Sequence, residues 1–485
     1  MHFMTGVSGL FFSALGDAKI NVLAISQGAN ERNISAVVTE AESTRALRAV
    51  HAAFRLSHTN VRVGIVGMNE IGKSLLKLLE TQRNKLRKSF DIDLDVCAVL
   101  KNGKSSHAAV LRDKRKYITL SAYDSVLDTI PKENTSIAFE KSVHDDVQLE
   151  EGGLGSFGDK VFSENCTNSV IFDCTADEEI GKCHVDWLQK GLNVVTANNT
   201  ALSGPKVLRQ AIKNIENGRK ARYFREVTVG GGLPVLGTIR NLLSTGDRIR
   251  RIDGILSVTM SYVFHRIAPS PGGQECYGFD KSISPSAYQI NSITDNLGDG
   301  PCQFSDAIKE AIALGLTEED PIKDISNEYT ARCLMVLAVE LGLDEDYSIE
   351  KIQSTSDSLV GPESQKYSDV EATLDKKLER RVKDAALKGC VPRHISSIDL
   401  KNGQISVNII DVPKNHVFAS NPPSCECVRF FTERHKTFPL IVQGPSAGAD
   451  STASALLADM LSLIQKKVGS KQGFVLRSTS GVFLN

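Results

Sequence analysis

The segment from Val61 to Lys73, which reads VRVGIVGMNEIGK, limits what this chain can fold into more than any other. It begins with a β-branched run typical of a strand and turns through Gly67 and Gly72 into apolar residues at helical spacing. A strand that enters a helix through such a turn aims the helix N-terminus, with its free N–H groups, at the strand's carboxyl end. The pattern predicts the first βα unit of a Rossmann fold.

The dinucleotide fingerprint of this fold has glycine at three places: the tight turn, the approach to the pyrophosphate, and the contact between helix and strand. Gly67 and Gly72 supply the first and the third, whereas Asn69 stands at the middle one. The Asn69 side chain would lie where a pyrophosphate comes close. The motif therefore predicts a Rossmann fold more strongly than it predicts a bound dinucleotide.

Composition and charge exclude several classes of protein. A length of 485 residues leaves room for two or three domains, and 41% hydrophobic with 24% charged residues is typical of a globular protein. A net charge of -1 argues against a nucleic-acid or anionic-membrane surface. No apolar run approaches the roughly 20 residues of a membrane helix. The ten cysteines lack zinc-site spacing, which favours reduced thiols.

The first 54 residues predict a small α-β-β-α unit. Helices are expected over 6–17 and 42–54, and strands over 20–26 and 34–38. This order is most of an ACT-type regulatory module, whose ferredoxin-like fold is βαββαβ, with the first strand absent. An incomplete sheet has an open edge, so we expect the unit to dock on a partner module or another subunit.

Further Rossmann strands are predicted over 93–100, 170–174 and 194–195. The second of the fold's strands runs into Lys101–Ser105, which contains basic and hydroxyl groups but no acid. This composition suits the 2′-phosphate of NADP better than the 2′-hydroxyl of NAD, and a solvated turn is the alternative. Residues 105–165 are polar, with a glycine-rich patch at 152–158, and we expect helices and a mobile loop there.

From Tyr223 the pattern changes to that of a second domain. Residues 266–301 are rich in Pro, Gly, Ser and Asn, as in an inserted loop. We expect strands over 224–229, 249–257, 259–264, 404–410, 427–431 and 440–443, and helices over 304–314, 328–341, 371–388 and 451–463.

Six motifs, in order along residues 6 to 465, resemble the homoserine dehydrogenase region of plant-type bifunctional aspartokinase–homoserine dehydrogenases. They are R-A-L-R-A-V-H at Arg45–His51, D-C-T-A-D at Asp173–Asp177, W-L-x-x-G at Trp187–Gly191, T-V-G-x-G-L-P at Thr228–Pro234, G-L-T-E-x-D-P at Gly315–Pro321, and L-I-V-x-G-P-x-A-G-A at Leu440–Ala449. The resemblance implies interconversion of L-homoserine and L-aspartate 4-semialdehyde with NAD or NADP, in threonine and methionine biosynthesis.

The resemblance also implies an α/β architecture of several domains. We expect a partial ACT module over 1–60 and a Rossmann domain over 61–205, completed by 425–465. An α+β mixed-sheet substrate and dimerisation domain is expected over 206–424, and a C-terminal tail over 466–485.

The functional residues of the family fall on identifiable positions of this chain. The resemblance implies cofactor contacts at Gly67, Asn69, Ile71, Gly72, Thr175, Ala176, Asn199 and Gly448. It implies substrate contacts at Glu318, Asp324 and Tyr329, and a catalytic role for Glu318 and for positions 199 and 333. It also implies a Na⁺ or K⁺ site at Glu226, Val229, Gly231 and Leu233. From the residues alone, Glu318 and Asp324 could instead cap helices, and Glu226 could bond the backbone N–H groups of the glycine turn.

Several positions depart from the family pattern. Cys333 replaces the lysine taken to be the proton donor, and Asn199 replaces a lysine near the nicotinamide. Tyr329 replaces a substrate-binding aspartate, four residues before Cys333 and thus on the same helical face. Because a thiol near neutral pH carries no positive charge, Cys333 cannot take over the role of an ammonium. Lys323 is the nearby cation that could reach inward; a solvated lysine is the alternative.

Three hypotheses follow from this mixture. The chain could be a homologue with weak or no activity, acting as a scaffold or as a regulator in mixed dimers with an active homologue. It could be a working NADP-dependent enzyme with a rearranged proton donor. It could bind another small amino-acid-like ligand through Glu318 and Asp324. The resemblance implies a homodimer and a plastid location; no transit peptide is visible in MHFMTGVSG, so the cytoplasm is the alternative.

Overall fold

Three sheets organise the chain, which we describe from a computed structural model. The residues it describes are 6–27, 33–54, 59–90, 92–102, 107–111, 118–127, 147–151, 153–163, 166, 168–218, 221–270, 301–317, 320–343, 347–354, 356, 359–360, 367–423, 425–446 and 448–467. The predicted inserted loop at 266–301 and the predicted tail at 466–485 therefore lie almost wholly outside the described residues.

The N-terminal unit has the predicted α-β-β-α order. Its elements are α1 (Val7–Asp17), β1 (Ala24–Gln27), β2 (Ile34–Val37) and α2 (Glu40–Ala53). The two strands are antiparallel, with Ala24 opposite Val37. Strand β1 starts later than predicted because Ile20 is buried in the small core with Leu15 and Ala46 instead of lying in the sheet.

A seven-stranded sheet forms the Rossmann domain. Its elements are β3 (Thr59–Val66), α3 (Glu70–Phe90), β4 (Ile92–Leu100), β5 (His107–Leu111), α4 (Leu120–Leu127), β6 (Val147–Glu151), α5 (Gly153–Val161), β7 (Ser169–Asp173), α6 (Glu178–Gln189), β8 (Asn193–Thr196), α7 (Thr200–Ser203), α8 (Lys206–Asn217) and β9 (Tyr223–Phe224). The strand order is β6-β5-β4-β3-β7-β8-β9, with β3 parallel to both β4 and β7. The chain thus reverses its direction of winding at β3, and such a switch point is where open α/β sheets bind ligands.

The region predicted as helices and a mobile loop contains β5 and β6, which extend the sheet by antiparallel pairing. From Gly153 onward, its glycine-rich patch lies in helix α5. Gly158 in this helix lies against Trp187, and a Cβ at Gly158 would stand 2.9 Å from the indole ring. The glycines there allow close packing, a use of glycine that composition alone does not distinguish from a flexible loop.

The second domain has a five-stranded sheet covered by helices. Its strands are β10 (Ile249–Ile255), β11 (Cys390–Asp399), β12 (Gln404–Pro413), β13 (Cys425–Thr432) and β14 (Leu440–Pro445), in the order β12-β11-β10-β13-β14. Its helices are α9 (Val235–Ser244), α10 (Val258–Ile267), α11 (Phe304–Ala313), α12 (Ile322–Ile325), α13 (Glu328–Glu340), α14 (Ile349–Ser354) and α15 (Glu371–Leu387). All four strand pairs are antiparallel, so the expectation of a mixed sheet is corrected to an antiparallel one.

Two strand predictions in this domain are wrong. The segment 259–264 lies in helix α10, which is buried on nearly every side and so lacks the amphipathic period that would have indicated a helix. Its start is capped by Ser257, whose hydroxyl accepts from Met260 N at 3.2 Å. The segment 224–229 contributes only the end of β9, and 226–228 forms a 3₁₀ turn.

The C-terminal segment divides between the two domains. Strands β13 and β14 belong to the antiparallel sheet, so the prediction that 425–465 completes the Rossmann domain is wrong for its first half. The closing helix α16 (Ala449–Lys467) does return and packs on α3. Among the described residues, no helix is long and apolar enough to cross a bilayer.

Candidate functional site

The turn between β3 and α3 is built around two glycines. Gly67 has a φ of +91°, and a Cβ there would overlap the side chain of Thr175. Gly72 packs so closely on the carbonyl oxygen of Gly67 that a Cβ would overlap that oxygen. Ile71 between them is half-buried and packs against the sheet core. Both glycine positions therefore have the geometric role that the fingerprint predicts.

Asn69 holds this turn from within. Its Oδ1 accepts from Gly72 N at 3.0 Å, and its Nδ2 donates to the carbonyl oxygen of Cys174 at 2.8 Å. The first bond is that of an N-cap residue to the first turn of α3. The second bond joins the turn after β3 to the end of β7, across the switch point of the sheet. The Asn69 side chain therefore takes up the N–H group of Gly72 at the start of α3 and bridges across the crevice to Cys174.

A buried polar network lies beside this crevice. Asp173, at the end of β7, is fully buried and accepts from Thr175 N at 2.9 Å, Thr175 Oγ1 at 2.7 Å and Asn198 Nδ2 at 2.9 Å. His184 Nε2 lies 2.8 Å from the same carboxyl group, and His184 Nδ1 lies 3.1 Å from the Tyr223 hydroxyl. These bonds fix the ends of β7 and β8, where the predicted cofactor contacts lie.

Two further predicted cofactor contacts lie in connecting turns. Ala176 follows Thr175 at the carboxyl end of β7 and is exposed. Gly448, just before α16, has a φ of +144°, a conformation that side-chain-bearing residues rarely adopt. Glycine at position 448 therefore serves the backbone conformation, since a Cβ there would meet nothing within 4 Å.

The residues at the two lysine positions of the resembled family lie side by side. Asn199 immediately precedes α7, and Cys333 lies in the second turn of α13. Nδ2 of Asn199 is 3.8 Å from Sγ of Cys333, and the two residues are 7% and 1% exposed. An amide and a thiol therefore meet in a buried position between the two domains.

The cationic side chains close in sequence to Cys333 are either bonded to carboxylates or exposed. Arg332 precedes Cys333, but its Nη2 donates to Glu178 at 2.6 Å and to Glu328 at 2.8 Å. Lys323 in α12 is exposed, as a solvated lysine would be. Arg332 is therefore committed to two carboxylates.

Asp324 is the predicted substrate carboxylate that the structure describes. It is buried in α12, with Oδ1 2.9 Å from the Thr259 hydroxyl. Tyr329, at the start of α13, is half-buried and packs against the core cluster that contains Cys333. Glu318, the other predicted substrate carboxylate and catalytic candidate, lies outside the described residues. A buried carboxylate with a hydroxyl partner has the chemistry to bind an ammonium group.

The predicted cation site is held together by protein contacts. Glu226 Oε1 accepts from Gly237 N at 2.7 Å, and its Oε2 pairs with the Arg240 guanidinium. Burial raises the pKa of Glu226, and the bond from Gly237 N opposes that rise. Burial also raises the pKa of the neighbouring Asp459 to about 6. The Arg240 guanidinium thus already pairs with Glu226. The described residues contain no cluster of three or more His, Cys, Asp or Glu that could hold a metal.

The backbone residues named for that site form a tight turn. Val229 is buried, and Leu233 N donates to Gly230 O at 2.9 Å. Gly231 has a φ of +53°, and a Cβ there would overlap the carbonyl oxygen of Ser446. The glycine-rich turn therefore lies in close backbone contact with Ser446.

Sequence reasoning missed three residues near these turns. His184 bonds to the carboxyl group that positions Thr175. Arg240 in α9 pairs with Glu226, and nothing in the sequence of that helix indicated this ion pair. Glu426 in β13 is buried, and burial raises its pKa to about 7. The alternation of buried residues along β13 could have placed Glu426 inside the sheet packing.

Three family profiles match the chain. Residues 234–461 match homoserine dehydrogenase, residues 67–225 match the homoserine dehydrogenase NAD-binding domain, and residues 1–54 match the ACT domain. Together they cover the second domain with α16, the Rossmann domain, and the N-terminal α-β-β-α unit.

Curated relatives cover most of the chain. A chloroplastic bifunctional aspartokinase/homoserine dehydrogenase 2 of Arabidopsis thaliana is 35% identical over 460 residues, which are 94% of this chain and 44% of that protein. The chain thus spans less than half the length of this relative. A homoserine dehydrogenase of Emericella nidulans is 30% identical over 305 residues, which are 61% of this chain and 76% of that protein.

Solved structures share the fold. A Candida auris protein of unknown function superposes with a TM-score of 0.64 at 25% identity, covering 84% of this chain and 99% of that one. A putative homoserine dehydrogenase from Archaeoglobus fulgidus gives a TM-score of 0.57 at 20% identity, covering 83% and 99%. A hyperthermophilic archaeal homoserine dehydrogenase in complex with NADPH gives 0.53 at 17% identity, covering 84% and 98%.

Proposed function

Because the chain belongs to the homoserine dehydrogenase family, we propose that it binds a nicotinamide dinucleotide but interconverts L-homoserine and L-aspartate 4-semialdehyde far more slowly than relatives with both lysines. The observation that carries this proposal is the contact between Asn199 and Cys333, which are buried and uncharged in place of two lysines. The fold supports binding, and the neutral pair argues against fast turnover.

The chemistry explains why this pair matters. The dinucleotide supplies or accepts the hydride, and the protein must supply a proton to the alkoxide oxygen as the carbonyl is reduced. The Asn199 amide can donate a hydrogen bond to that oxygen but cannot release a proton near neutral pH. Loss of a general acid costs about 10²- to 10⁴-fold in rate, and loss of a charged stabiliser costs a similar factor. Because the two side chains touch, the two losses need not multiply.

The glycine turn supports dinucleotide binding by this chain. Gly67 and Gly72 allow the tight turn that aims the start of α3 at the crevice, and Glu70 is the one acid in the first turn of this helix. Asn69 is the obstacle, because its amide bridges to Cys174 across the crevice. We expect a dinucleotide to bind with that amide displaced or bonded to a phosphate oxygen. NADP is our preference over NAD, because Lys101 follows β4 and no acid does.

The same site supports an amino-acid ligand. Asp324 is buried and would attract the substrate ammonium.

We further propose a homodimer, or a mixed dimer with an active homologue, in the plastid. A Na⁺ or K⁺ ion at Glu226 stays a prediction, and such an ion would compete with Arg240 for the carboxylate.

Binding and turnover must be measured separately on the purified chain. Calorimetric titration with NADPH and with NADH tests binding, and we expect NADPH to bind with the higher affinity. Loss of NADPH absorbance with aspartate 4-semialdehyde tests turnover, and we expect a rate at least about 100-fold below that of a family enzyme with both lysines. Fast turnover would instead support a rearranged proton donor. Binding of neither cofactor would overturn the proposal and favour a non-catalytic role.

A further inference from the structure

A cavity of about 640 Å³ lies outside the crevice and the neutral pair. It opens between α6, α8, α13 and the start of α14. Six of its lining residues carry the argument: Glu178, Ser203, Lys206, Arg209, Arg332 and Lys351. None of the described lining residues is among those assigned above to cofactor, substrate or cation binding, so this cavity is a separate site.

The charge of the cavity is positive. Its lining includes five lysine or arginine side chains and two carboxylates. One of the carboxylates, Glu178, already accepts from Arg332 at 2.6 Å, and this bond lowers the Glu178 pKa. Nζ of Lys351, another lining residue, lies over the ring of Tyr347 at 4.7 Å from its centre. A ligand that complements this lining carries negative charge.

The N-terminus of α8 opens into the cavity. This helix has twelve residues, no acid in its first turn and no side-chain cap at Pro205. Its first turn instead carries Lys206 and Arg209, both of which line the cavity. An uncapped helix start with cations in the first turn attracts anions, and phosphate above all, because the N–H groups and the dipole point the same way.

Ser203 provides an independent indication of a ligand. It is only 3% exposed and lines the cavity, yet its hydroxyl finds no hydrogen-bond partner among the described residues. Buried hydroxyl groups are nearly always bonded, because leaving one unmet costs free energy. An oxygen of a bound anion beside the start of α8 would accept from this hydroxyl.

We propose that this cavity binds the phosphate group of a small metabolite. Ser203 Oγ and the start of α8 donate to the phosphate oxygens, and Lys206 supplies the neutralising charge. The cavity is larger than a phosphate ion, so the rest of the metabolite lies toward Tyr347 and Lys351. The ligand would sit one short helix away from Asn199, since α7 begins directly after Asn199 and ends at Ser203.

The test is calorimetric titration of the full chain with inorganic phosphate and with glycerol 3-phosphate, at constant ionic strength set with potassium chloride. Ser203→Ala and Lys206→Gln should each weaken binding by about tenfold, the worth of one hydrogen bond to a charged group. Lys213→Gln is the matched control, because it removes the same charge from α8 outside the cavity lining. It should change the affinity by less than about twofold.

The outcomes separate the possible sites. Binding that persists in saturating NADPH and is weakened by Lys206→Gln but not by Lys213→Gln supports the proposal. Binding that NADPH abolishes would place the phosphate in the cofactor crevice and overturn it. Equal effects of the two lysine variants would indicate that diffuse charge causes the binding and would overturn the proposal. It would also be overturned if neither inorganic phosphate nor glycerol 3-phosphate bound to the chain. Circular dichroism of each variant checks that it is folded.

Discussion

Asn199 and Cys333 are 134 residues apart in the chain, yet Nδ2 of the first lies 3.8 Å from Sγ of the second. The contact joins a residue after β8 of the Rossmann domain to one in α13 of the second domain. Because the two side chains share one buried environment, an ammonium group at one position would lower the pKa of a lysine at the other and make it a better proton donor near neutral pH. The two substitutions are therefore best understood, and best reversed, together.

Restoring both lysines should restore catalysis. The variant Asn199→Lys with Cys333→Lys should raise the rate of NADPH oxidation with aspartate 4-semialdehyde by at least about 100-fold, because it returns a proton donor and a charge to the pocket. The control is Asn199→Gln with Cys333→Met, which keeps the pocket neutral and should show no gain. A folded lysine variant that binds NADPH without a faster reaction would place the defect elsewhere.

Removing the Asn69 side chain should open the crevice to a dinucleotide. Asn69→Gly deletes the bonds to Gly72 N and to the Cys174 carbonyl. We expect NADPH to bind several-fold more tightly by calorimetry. The free energy of unfolding should fall by about 1 kcal/mol, because a cap and a bridging hydrogen bond are lost. Weaker NADPH binding in this variant would mean that the amide contacts the cofactor.

The Rossmann unit was predictable because its signals are local. A strand, a glycine turn and an amphipathic helix follow one another within Val61–Lys73, and each restricts the next. The second domain was harder, because α10 is buried all round and its sequence could equally be a strand. Strand β11 lies between a charged helix and another strand, and it was missed for lack of a periodic pattern.

The candidate site was predictable as a set of positions and not as a set of contacts. Resemblance named Asn199 and Cys333, but only the fold shows that they touch. The bond from His184 to Asp173 spans eleven residues with no spacing rule behind it. The pairing of Arg240 with Glu226 likewise depends on where α9 begins after the glycine turn. Such long-range polar pairs are set by tertiary packing, which sequence periodicity does not encode.

Gly72 should tolerate no side chain. Gly72→Ala places a methyl group against the carbonyl oxygen of Gly67 and should lower the free energy of unfolding by about 2 kcal/mol or more. The control is Gly155→Ala in α5, where a Cβ would meet nothing within 4 Å. That change should instead stabilise the protein by about 0.5–1 kcal/mol, because alanine favours the helix. Urea denaturation of the two variants measures the contrast, and equal effects would contradict the close approach.

Glu426 should make the protein less stable as the pH rises. Burial raises the pKa of this carboxyl group from 4.5 to about 7, so the folded chain holds the proton more tightly than the unfolded chain does. The contribution of Glu426 to stability is therefore complete below about pH 4.5 and is lost as the pH rises through 7. The loss amounts to on the order of 3 kcal/mol by about pH 8.

The variant Glu426→Gln isolates this effect, because glutamine keeps the shape and cannot ionise. Other groups, such as Asp459 with its raised pKa, contribute equally to both proteins and cancel in the difference. We expect urea denaturation to show that Glu426→Gln is the more stable protein at pH 8 and that the advantage disappears by about pH 5. A difference that stays constant across this range would mean that Glu426 is ionised in the folded protein, with a cation beside the glycine turn to balance it.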